Sequence, residues 1–512
     1  MPFPRSSGVL LHPTSLPGRF GIGDLGAVAF DFIDALAAAG QRVWQVLPLG
    51  PTGYGDSPYQ CFSAFAGNPL LISLDDLIEQ GLLTPKETAG QRPFLPGDVD
   101  FAAVLAHRQA LWPRALDRFD ATAPAATRDR FDRFCSENAG WLDDFALYMA
   151  VKAAHGQTAW TQWEPGIAQR DPAAVARWSA DCARDIRMHK LTQCFFFEQW
   201  RRLRDTCHAR SIAILGDLPI FVADDSADVW ARRELFRLDA EGRPTVVAGV
   251  PPDYFSATGQ LWGNPHYRWD VLERTRYAWW IDRFRALHAL VDRVRIDHYR
   301  GFVAAWEVPT GATTAIRGEW VDGPGAALFD TVRSALGIDE LPFVAENLGV
   351  ITPEVEALRE RLGFPGMAIL QFAFGTDPQA PDFKPHNYPR NRVVYTGTHD
   401  NDTTVGWWTG EVGHSTRSKT DIEHEREHAC RYLGMDGREV HWDFIRAVLA
   451  SVADTAIVPV QDLLGLGSEA RMNRPGTIGH NWRWRYRPGQ LTPAILQKLA
   501  VMTATYDRIG HS

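Results

Sequence analysis

The chain of 512 residues is 45% hydrophobic and 22% charged, which is typical of a globular protein with a large buried core. Its formal net charge is -9 with acids and bases mixed along the chain, which argues against a nucleic-acid or anionic-membrane partner. No apolar run approaches the roughly 18 residues of a membrane span, and the N-terminus lacks a signal-peptide pattern. The six cysteines form no CxxC pair, so we expect reduced thiols in a cytoplasmic protein.

Eight short apolar runs that end in polar residues predict eight strands. They are residues 7–12, 42–49, 212–220, 292–298, 342–347, 366–372, 392–400 and 455–462. Most are rich in Val, Ile and Leu, as buried parallel strands are, and helical patterns lie between several of them. These units predict an α/β fold of the (β/α)8 TIM-barrel class, with a doubly wound sheet of six strands as the alternative. No GxGxxG fingerprint follows a strand, which weakens a dinucleotide-binding form of that alternative.

More than 160 residues separate the second and third predicted strands, far more than one β–α unit needs. We therefore expect a single barrel over residues 1–512, interrupted by an inserted, mainly helical subdomain at 66–190. An apolar stripe at helical spacing supports this prediction, and only Asn138 interrupts it. The members of the stripe are Phe131, Phe134, Trp141, Leu142, Phe145, Tyr148 and Met149.

A second insertion, at residues 221–275 after the third strand, is predicted to form a lid. Its stretch 248–270 is loaded with Pro, Gly and aromatic residues and has no helical periodicity. Loops this long in compact domains are usually functional or disordered, and the aromatic content favours an ordered lid. Many of the 19 tryptophans lie in such stretches. Since flat aromatic rings stack on the C–H faces of sugars, carbohydrate is a candidate ligand.

Three carboxylates follow predicted strands directly, at the end of a barrel where active sites lie. Asp297 follows VRI, Glu346 follows FVA and Asp400 follows TGTH. The strands before Asp297 and Glu346 are neighbours, so these two can form the carboxylate pair that glycosidic-bond chemistry needs.

Arg295 separates the roles of that pair. It lies two residues before Asp297, so both side chains project from one face of the strand and the guanidinium favours the ionised carboxylate. Asp297 is therefore the predicted nucleophile. Glu346 is the predicted acid/base, and we expect burial and nearby negative charge to raise its pKa.

Structural interpretations of the same residues stay open at this point. A single acid at a strand end is usually a loop cap, and Arg295 with Asp297 alone would form a structural ion pair. His298 is expected to point to the other face of the strand and to be structural. Neither histidine of the His–Asp pairs in RIDH and THDND lies in an HxH or HExxH spacing, and no metal site is predicted.

Longer motifs are distributed along nearly the whole chain. They include SGVLLHPTSLPG, GYGDSPYQCFSAFAGNP, GDLPIFVADDSADVW, GVPPDYFSATGQLWGNPHY, VRIDHYRGF, VAENLG, TGTHDNDT and RMNRPGTIGHNWRWR. On these motifs the chain resembles the amylomaltase, or disproportionating-enzyme, family of 4-α-glucanotransferases, which is glycoside hydrolase family 77 of the α-amylase clan. The order VRIDH, AENLG, THDND is typical of the clan, and GVPPDYFSATGQLWGNP with RMNRPGT is typical of the family.

The resemblance implies roles for particular residues. Asp297 resembles the nucleophile, Glu346 the general acid/base and Asp400 the third carboxylate, which steadies the oxocarbenium-like transition state. The implied substrate-binding residues are Arg295 beside the nucleophile, His399 as a donor to a sugar hydroxyl, Tyr59 stacked under the sugar, Asp253, Phe255 and Trp262 in the lid, Asn473 near the donor groove, and Tyr54 in a remote second glucan site. Tyr54 equally suits a role in shaping the GPTGYGDSP loop.

The resemblance also implies a reaction and its partners. A retaining two-step mechanism would move α-1,4-glucan segments from maltooligosaccharides, amylose or glycogen to the 4-hydroxyl of glucose or another glucan, without cofactor or catalytic metal. The chain is expected to finish on a helix within the barrel, without a C-terminal β-domain, which favours a transferase. The alternatives are an α-1,4-glucan hydrolase and a non-catalytic glucan-binding protein. The oligomeric state stays open.

Overall fold

A computed structural model describes residues 3–89, 94, 96–252, 258–410 and 418–509. Its strands are β1 (Ser6–Leu10), β2 (Val43–Gln45), β3 (Ala213–Pro219), β4 (Val246–Val250), β5 (Gln260–Pro265), β6 (Arg293–Asp297), β7 (Ala304–Pro309), β8 (Glu319–Asp322), β9 (Phe343–Ala345), β10 (Gly366–Ile369), β11 (Arg392–Tyr395) and β12 (Thr455–Pro459).

Eight of these strands form one parallel sheet that curves into a barrel. Their order is β10-β11-β12-β1-β2-β3-β6-β9. Two hydrogen bonds join the outer strands of this order: the Ala345 amide donates to the Pro365 carbonyl at 2.9 Å, and the Met367 amide donates to Asn347 Oδ1 at 2.8 Å. The predicted TIM-barrel class is confirmed, and each of the eight predicted runs overlaps one barrel strand.

Several strands end some residues before the end of the predicted run. β9 ends at Ala345 and β11 at Tyr395, so Glu346 and Asp400 lie in the turns that follow. Their polar side chains therefore stand above the barrel mouth, where the backbone has left the sheet.

The helices surround this sheet. They are α1 (Ala27–Ala38), α2 (Leu74–Glu79), α3 (Pro85–Thr88), α4 (Phe101–Thr122), α5 (Ala125–Glu137), α6 (Ala139–Ala154), α7 (Pro165–Ala168), α8 (Pro172–Asp181), α9 (Ala183–Ala209), α10 (Ala227–Ala231), α11 (Trp269–Arg274), α12 (Ala278–Leu290), α13 (Gly325–Leu336), α14 (Pro353–Leu362), α15 (Thr404–Thr409), α16 (Lys419–Leu433), α17 (Val440–Ala450), α18 (Val460–Leu463) and α19 (Pro493–Thr505). Within the part of the chain that the structure describes, no helix is both long and apolar enough to cross a membrane.

The long stretch between β2 and β3 is helical, from α2 to α9. The predicted apolar stripe is divided between α5 and α6, and the break falls on Asn138. There the Asn138 side-chain Nδ2 donates to the Phe134 carbonyl at 2.9 Å, and its Oδ1 accepts from Trp141 Nε1 at 3.2 Å. Asn138 thus satisfies groups at the ends of both helices. The division of the chain into insertions at 66–190 and 221–275 stays a prediction.

A second sheet was not predicted. It is antiparallel, in the order β5-β4-β7-β8, and stands beside the barrel mouth. The stretch 248–270, predicted as a loop without regular structure, contributes β5 and the end of β4. Gly and Pro in this stretch conceal its strand character, and the pairing of β4 with β7 joins segments far apart in the chain.

Most of the tryptophans belong to the core. Twelve of the nineteen are buried, among them Trp44, Trp200, Trp230 and Trp280, which are nearly inaccessible. The number of tryptophans is therefore weak support for a carbohydrate ligand, and only those near the barrel mouth bear on function.

Candidate active site

The three predicted carboxylates meet at the carboxyl end of the barrel. Asp297 is the last residue of β6, and Glu346 directly follows β9. In the β6–β9 ladder Ile296 pairs with Ala345, so Asp297 and Glu346 leave neighbouring strands at the same level. Asp400 lies in the turn after β11, at the same end of the sheet.

Arg295 connects Asp297 to a fourth carboxylate. Its Nη2 lies 2.9 Å from Asp297 Oδ1, and its Nη1 donates to both Asp217 oxygens at 2.9 and 2.7 Å. Asp217 is on β3, directly opposite Arg295 in the ladder, and also accepts from the Tyr59 hydroxyl at 2.9 Å. Arg295 is therefore fixed from both sides within a buried site.

Asp217 was not among the predicted site residues. The signal was present, because an acid stands in the middle of the otherwise apolar run AILGDLPI. Its partner Arg295 becomes apparent only from the register between β3 and β6.

Backbone amides hold Glu346 in place. Its Oε2 accepts from the His298 amide at 2.9 Å, and its Oε1 accepts from the Leu348 amide at 3.0 Å. His298 has a φ of 52°, a left-handed conformation that few residues other than glycine adopt. His298 was predicted to be only structural, but its backbone contacts a candidate catalytic group, and its ring lies 4.7 Å from the Trp262 ring at 89°.

Asp400 is held by three neighbouring side chains. Asn473 Nδ2 donates to its Oδ1 at 2.6 Å, His399 Nε2 lies 3.4 Å from its Oδ2, and Arg471 Nη2 donates to its backbone carbonyl at 2.6 Å. Burial alone would raise the pKa of Asp400, but His399 and Asn473 hold that pKa well below its usual range. Asp400 is therefore ionised throughout the neutral range.

A buried aspartate fixes the loop that carries Asp400. Asp462 accepts from Thr396 Oγ1 at 2.5 Å, and from the Thr404 amide and Oγ1 at 2.7 and 2.8 Å. These bonds tie together the two ends of the segment 396–404. Asp462 was the last residue of a predicted strand, and nothing in its spacing indicated this contact.

An aromatic layer lies beside the carboxylates. The rings of Tyr59 and His399 are stacked, with centroids 5.2 Å apart and an angle of 20°. Trp482 lies 5.8 Å from Tyr59 and 5.9 Å from His399. Burial and the Asp217 carboxylate raise the pKa of Tyr59 well above its usual value, so its hydroxyl stays a hydrogen-bond donor.

One guanidinium faces four carboxylates in this cluster, an excess of negative charge that favours retention of a proton. Burial raises the pKa of both Asp297 and Glu346, and Asp400 adds to the rise, while Arg295 opposes it. The rise at Asp297 was not predicted. Because the guanidinium contacts Asp297 directly, we assign the retained proton to Glu346.

The remaining predicted site residues have different positions. Trp262 is half-buried on β5, against His298. Tyr54 is 71% exposed in a short 3-10 turn, Tyr54–Asp56. Asp253 and Phe255 lie outside the described residues. Over the described ranges, no group of three or more His, Cys, Asp or Glu side chains is arranged to hold a metal ion.

A family model described as glycoside hydrolase 77, 4-alpha-glucanotransferase, matches residues 11–492. The chain belongs to this family. It is 51% identical over 507 residues to the 4-alpha-glucanotransferase of Synechocystis sp., covering 98% of each chain, and 49% identical over 517 residues to that of Thermus thermophilus, covering 99% of this chain and 100% of the relative.

A solved structure agrees with this membership. The amylomaltase of Streptococcus agalactiae in complex with acarbose superimposes with a TM-score of 0.92, at 38% identity, covering 99% of this chain and 100% of that one. The predicted family and the predicted class of enzyme, a 4-alpha-glucanotransferase, are thus confirmed, and the hydrolase alternative is not favoured.

The Asp217–Arg295 pair yields a prediction about stability. Asp217→Asn removes a carboxylate whose side chain is fully buried and leaves the guanidinium with one partner. Breaking a buried ion pair by removing one member costs about 3–5 kcal/mol. We expect the free energy of unfolding to fall by about 3 kcal/mol, measured by urea unfolding followed by tryptophan fluorescence. Asp282→Asn, at an exposed ion pair on α12, is the matched control and should change stability by less than about 1 kcal/mol.

Proposed function

We propose that this 4-alpha-glucanotransferase works by double displacement, with Asp297 as nucleophile, Glu346 as acid/base and Asp400 as the carboxylate that binds the distorted sugar. The observation that carries the proposal is the Arg295 bridge between Asp217 and Asp297 in a chain of this family. It presents an ionised carboxylate beside one that retains a proton, which retaining glycosidic chemistry requires.

In the first step the proton on Glu346 passes to the glycosidic oxygen while Asp297 attacks the anomeric carbon. The bond to the reducing-end segment breaks, and a glucosyl ester forms on Asp297. Positive charge develops on the sugar ring in this step. Asp400, held ionised by His399 and Asn473, stabilises that charge, and the Tyr59 ring supports the sugar from below.

In the second step Glu346, now ionised, takes a proton from the 4-hydroxyl of the acceptor sugar. The oxygen attacks the anomeric carbon, and Asp297 leaves as a carboxylate. The carboxylates themselves do not favour sugar over water. The preference must come from the acceptor sites and from exclusion of water, for which Trp262, and the lid that includes Asp253 and Phe255, are our candidates.

The proposed substrates are α-1,4-glucans such as maltooligosaccharides, amylose and glycogen, with glucose or another glucan as acceptor. The relatives' names and the acarbose complex of the amylomaltase support this class. We also propose a cytoplasmic location and no nucleic-acid or membrane partner. The described residues include all six cysteines, and these are free thiols.

The pH dependence follows from the two carboxyl groups. Asp297 must lose its proton, so the rate rises with pH through its pKa. Glu346 must hold its proton, so the rate falls as pH rises through its pKa. Because burial raises the pKa of both, we expect a bell-shaped profile of kcat/KM whose limbs lie above the pH range in which ordinary exposed carboxyls titrate. A profile without an alkaline limb would contradict the role of Glu346.

Product analysis on maltotriose tests the proposed function. Glucose, longer oligosaccharides and total reducing ends are followed together. Transfer predicts glucose release and a growing ladder at constant reducing ends, since each broken bond is remade. Rising reducing ends without longer products would make the protein a hydrolase.

A further inference from the structure

An aromatic pair stands on the outer part of the second sheet. Trp306 on β7 and Trp320 on β8 are directly paired in the ladder, so both side chains lie on one face. Their ring centroids are 5.2 Å apart at 60°. Trp306 is partly exposed, and Trp320 is 39% exposed on a strand that is the edge of the sheet. No step of the proposed mechanism uses either residue.

Arg300 holds the Trp320 ring. Its guanidinium carbon lies 3.7 Å from the centre of that ring, and its Nη1 donates to the Val350 carbonyl at 2.5 Å. Arg300 is itself buried, so the stack has a fixed base. Trp320 stays 39% exposed although Arg300 covers one ring face. The ring is thus a rigid apolar surface turned to solvent, which needs no ordering before a ligand binds.

The pair adjoins the candidate active site through two loops. Arg300 is three residues after Asp297, in the short helix Tyr299–Phe302. Val350 is four residues after Glu346, in the loop that the Leu348 amide anchors to that carboxylate. Arg300, on the loop after Asp297, therefore contacts both Trp320 and the loop after Glu346. Because Glu346 is the proposed acid/base for the leaving and incoming sugars, its loop points to the acceptor side of the site.

The chemistry of the patch fits one class of ligand. On β8 the exposed acid on the same face of the sheet as Trp320 is Asp322, two residues away, and the exposed Glu319 projects from the other face. A flat indole with a carboxylate on the same face suits a sugar chain, since the C–H faces of the sugar stack on the ring and a hydroxyl donates to the acid. The same acids, on a chain of net charge -9, oppose a nucleic acid. The apolar part is only one residue wide on β8, which is narrow for a protein interface.

We propose that Trp306 and Trp320, with Arg300 behind them, bind α-1,4-glucan chains that extend past the reacting sugars on the acceptor side. The inference rests on the proposed function for its choice of sugar. It is separate from the remote site suggested at Tyr54, which lies on the loop after β2.

Activity on long and short substrates tests the proposal. Trp320→Ala should lower the ratio of kcat/KM for maltoheptaose to that for maltotriose by about tenfold, because only the longer chain reaches the pair. Trp320→Phe should recover most of that ratio. Trp178→Ala is the matched control, since Trp178 on α8 is also partly exposed and also has an arginine, Arg177, near its ring. It should leave the ratio unchanged. Equal losses on both substrates, or no loss, would overturn the proposal.

Binding without turnover separates this inference from the proposed function. Native electrophoresis in gels with and without amylose measures retardation by the glucan alone. We expect less retardation for Trp320→Ala than for the Trp178→Ala control, even if the protein proved to be inactive on maltotriose. Unchanged retardation would overturn the proposal that the Trp306–Trp320 pair binds glucan, and it would leave the proposed transfer reaction unaffected. A change in oligomeric state of Trp320→Ala on size-exclusion chromatography would also overturn it, because a second copy would then be the occupant.

Discussion

Replacing Asp297 with asparagine will lower the rate of transfer from maltotriose by at least about 10⁴-fold, or about 5.5 kcal/mol of activation free energy. The amide is nearly the same size as the carboxylate, but it cannot form the glucosyl ester. It also loses the ion pair with Arg295 at 2.9 Å, although Asp217 still holds the guanidinium. Initial rates of glucose release from maltotriose measure this effect.

The control for this variant is Asp282→Asn, the same substitution at an exposed position on α12. It should keep the wild-type rate. Retarded migration of Asp297→Asn in amylose gels should persist, because the binding surfaces remain. Transfer within tenfold of the wild-type rate would show that Asp297 is not the nucleophile.

Replacing Glu346 with glutamine will lower transfer from maltotriose by about 10³–10⁴-fold, because the leaving oxygen then departs without a proton. Glutamine has only one side-chain oxygen, so it can accept from only one of the two backbone N–H groups that now donate to Glu346. A modest loss of order at the side chain is therefore expected as well. A fluoride donor distinguishes the two effects. Fluoride leaves without protonation, so α-glucosyl fluoride should restore the first step in this variant.

Azide provides the control on the second step of the Glu346→Gln variant. It is an anion that needs no general base, so it should accelerate turnover of α-glucosyl fluoride and give the α-glucosyl azide, the product of two inversions. The same azide should not accelerate the wild-type enzyme. If neither fluoride nor azide restored turnover, Glu346 would have a structural role instead.

The barrel strands could be predicted from the sequence because they are buried on both faces. Parallel strands covered on both faces are continuous apolar runs, and the carboxylates that end them are conspicuous in such surroundings. Asp297, Glu346 and Asp400 were found in this way. The position of Arg295 then indicated the roles of Asp297 and Glu346, and the resemblance implied that of Asp400. The second sheet was hidden for the opposite reason. β8 and the first four residues of β5 are exposed or half-exposed, and β4 pairs with a strand that is distant in the chain.

The contacts that complete the site depend on geometry that spacing does not contain. Asp217 meets Arg295 through the register of β3 with β6. His298 donates its amide to Glu346 because its backbone is left-handed, which a sequence pattern does not specify. Trp306 and Trp320 become a pair only once β7 and β8 are aligned.

The most direct measurement is the identity of the residue that carries the glucosyl ester. The Glu346→Gln variant forms the ester rapidly from α-glucosyl fluoride and resolves it slowly, so the ester accumulates. Rapid acid quenching, proteolysis and mass spectrometry then locate it. We expect one added glucosyl group on the peptide that contains Asp297, its rapid loss when azide is added before quenching, and little loss when maltose is added, because the variant lacks the base that maltose needs. An adduct on another carboxylate, or a burst of fluoride without any adduct, would show that Asp297 is not the nucleophile.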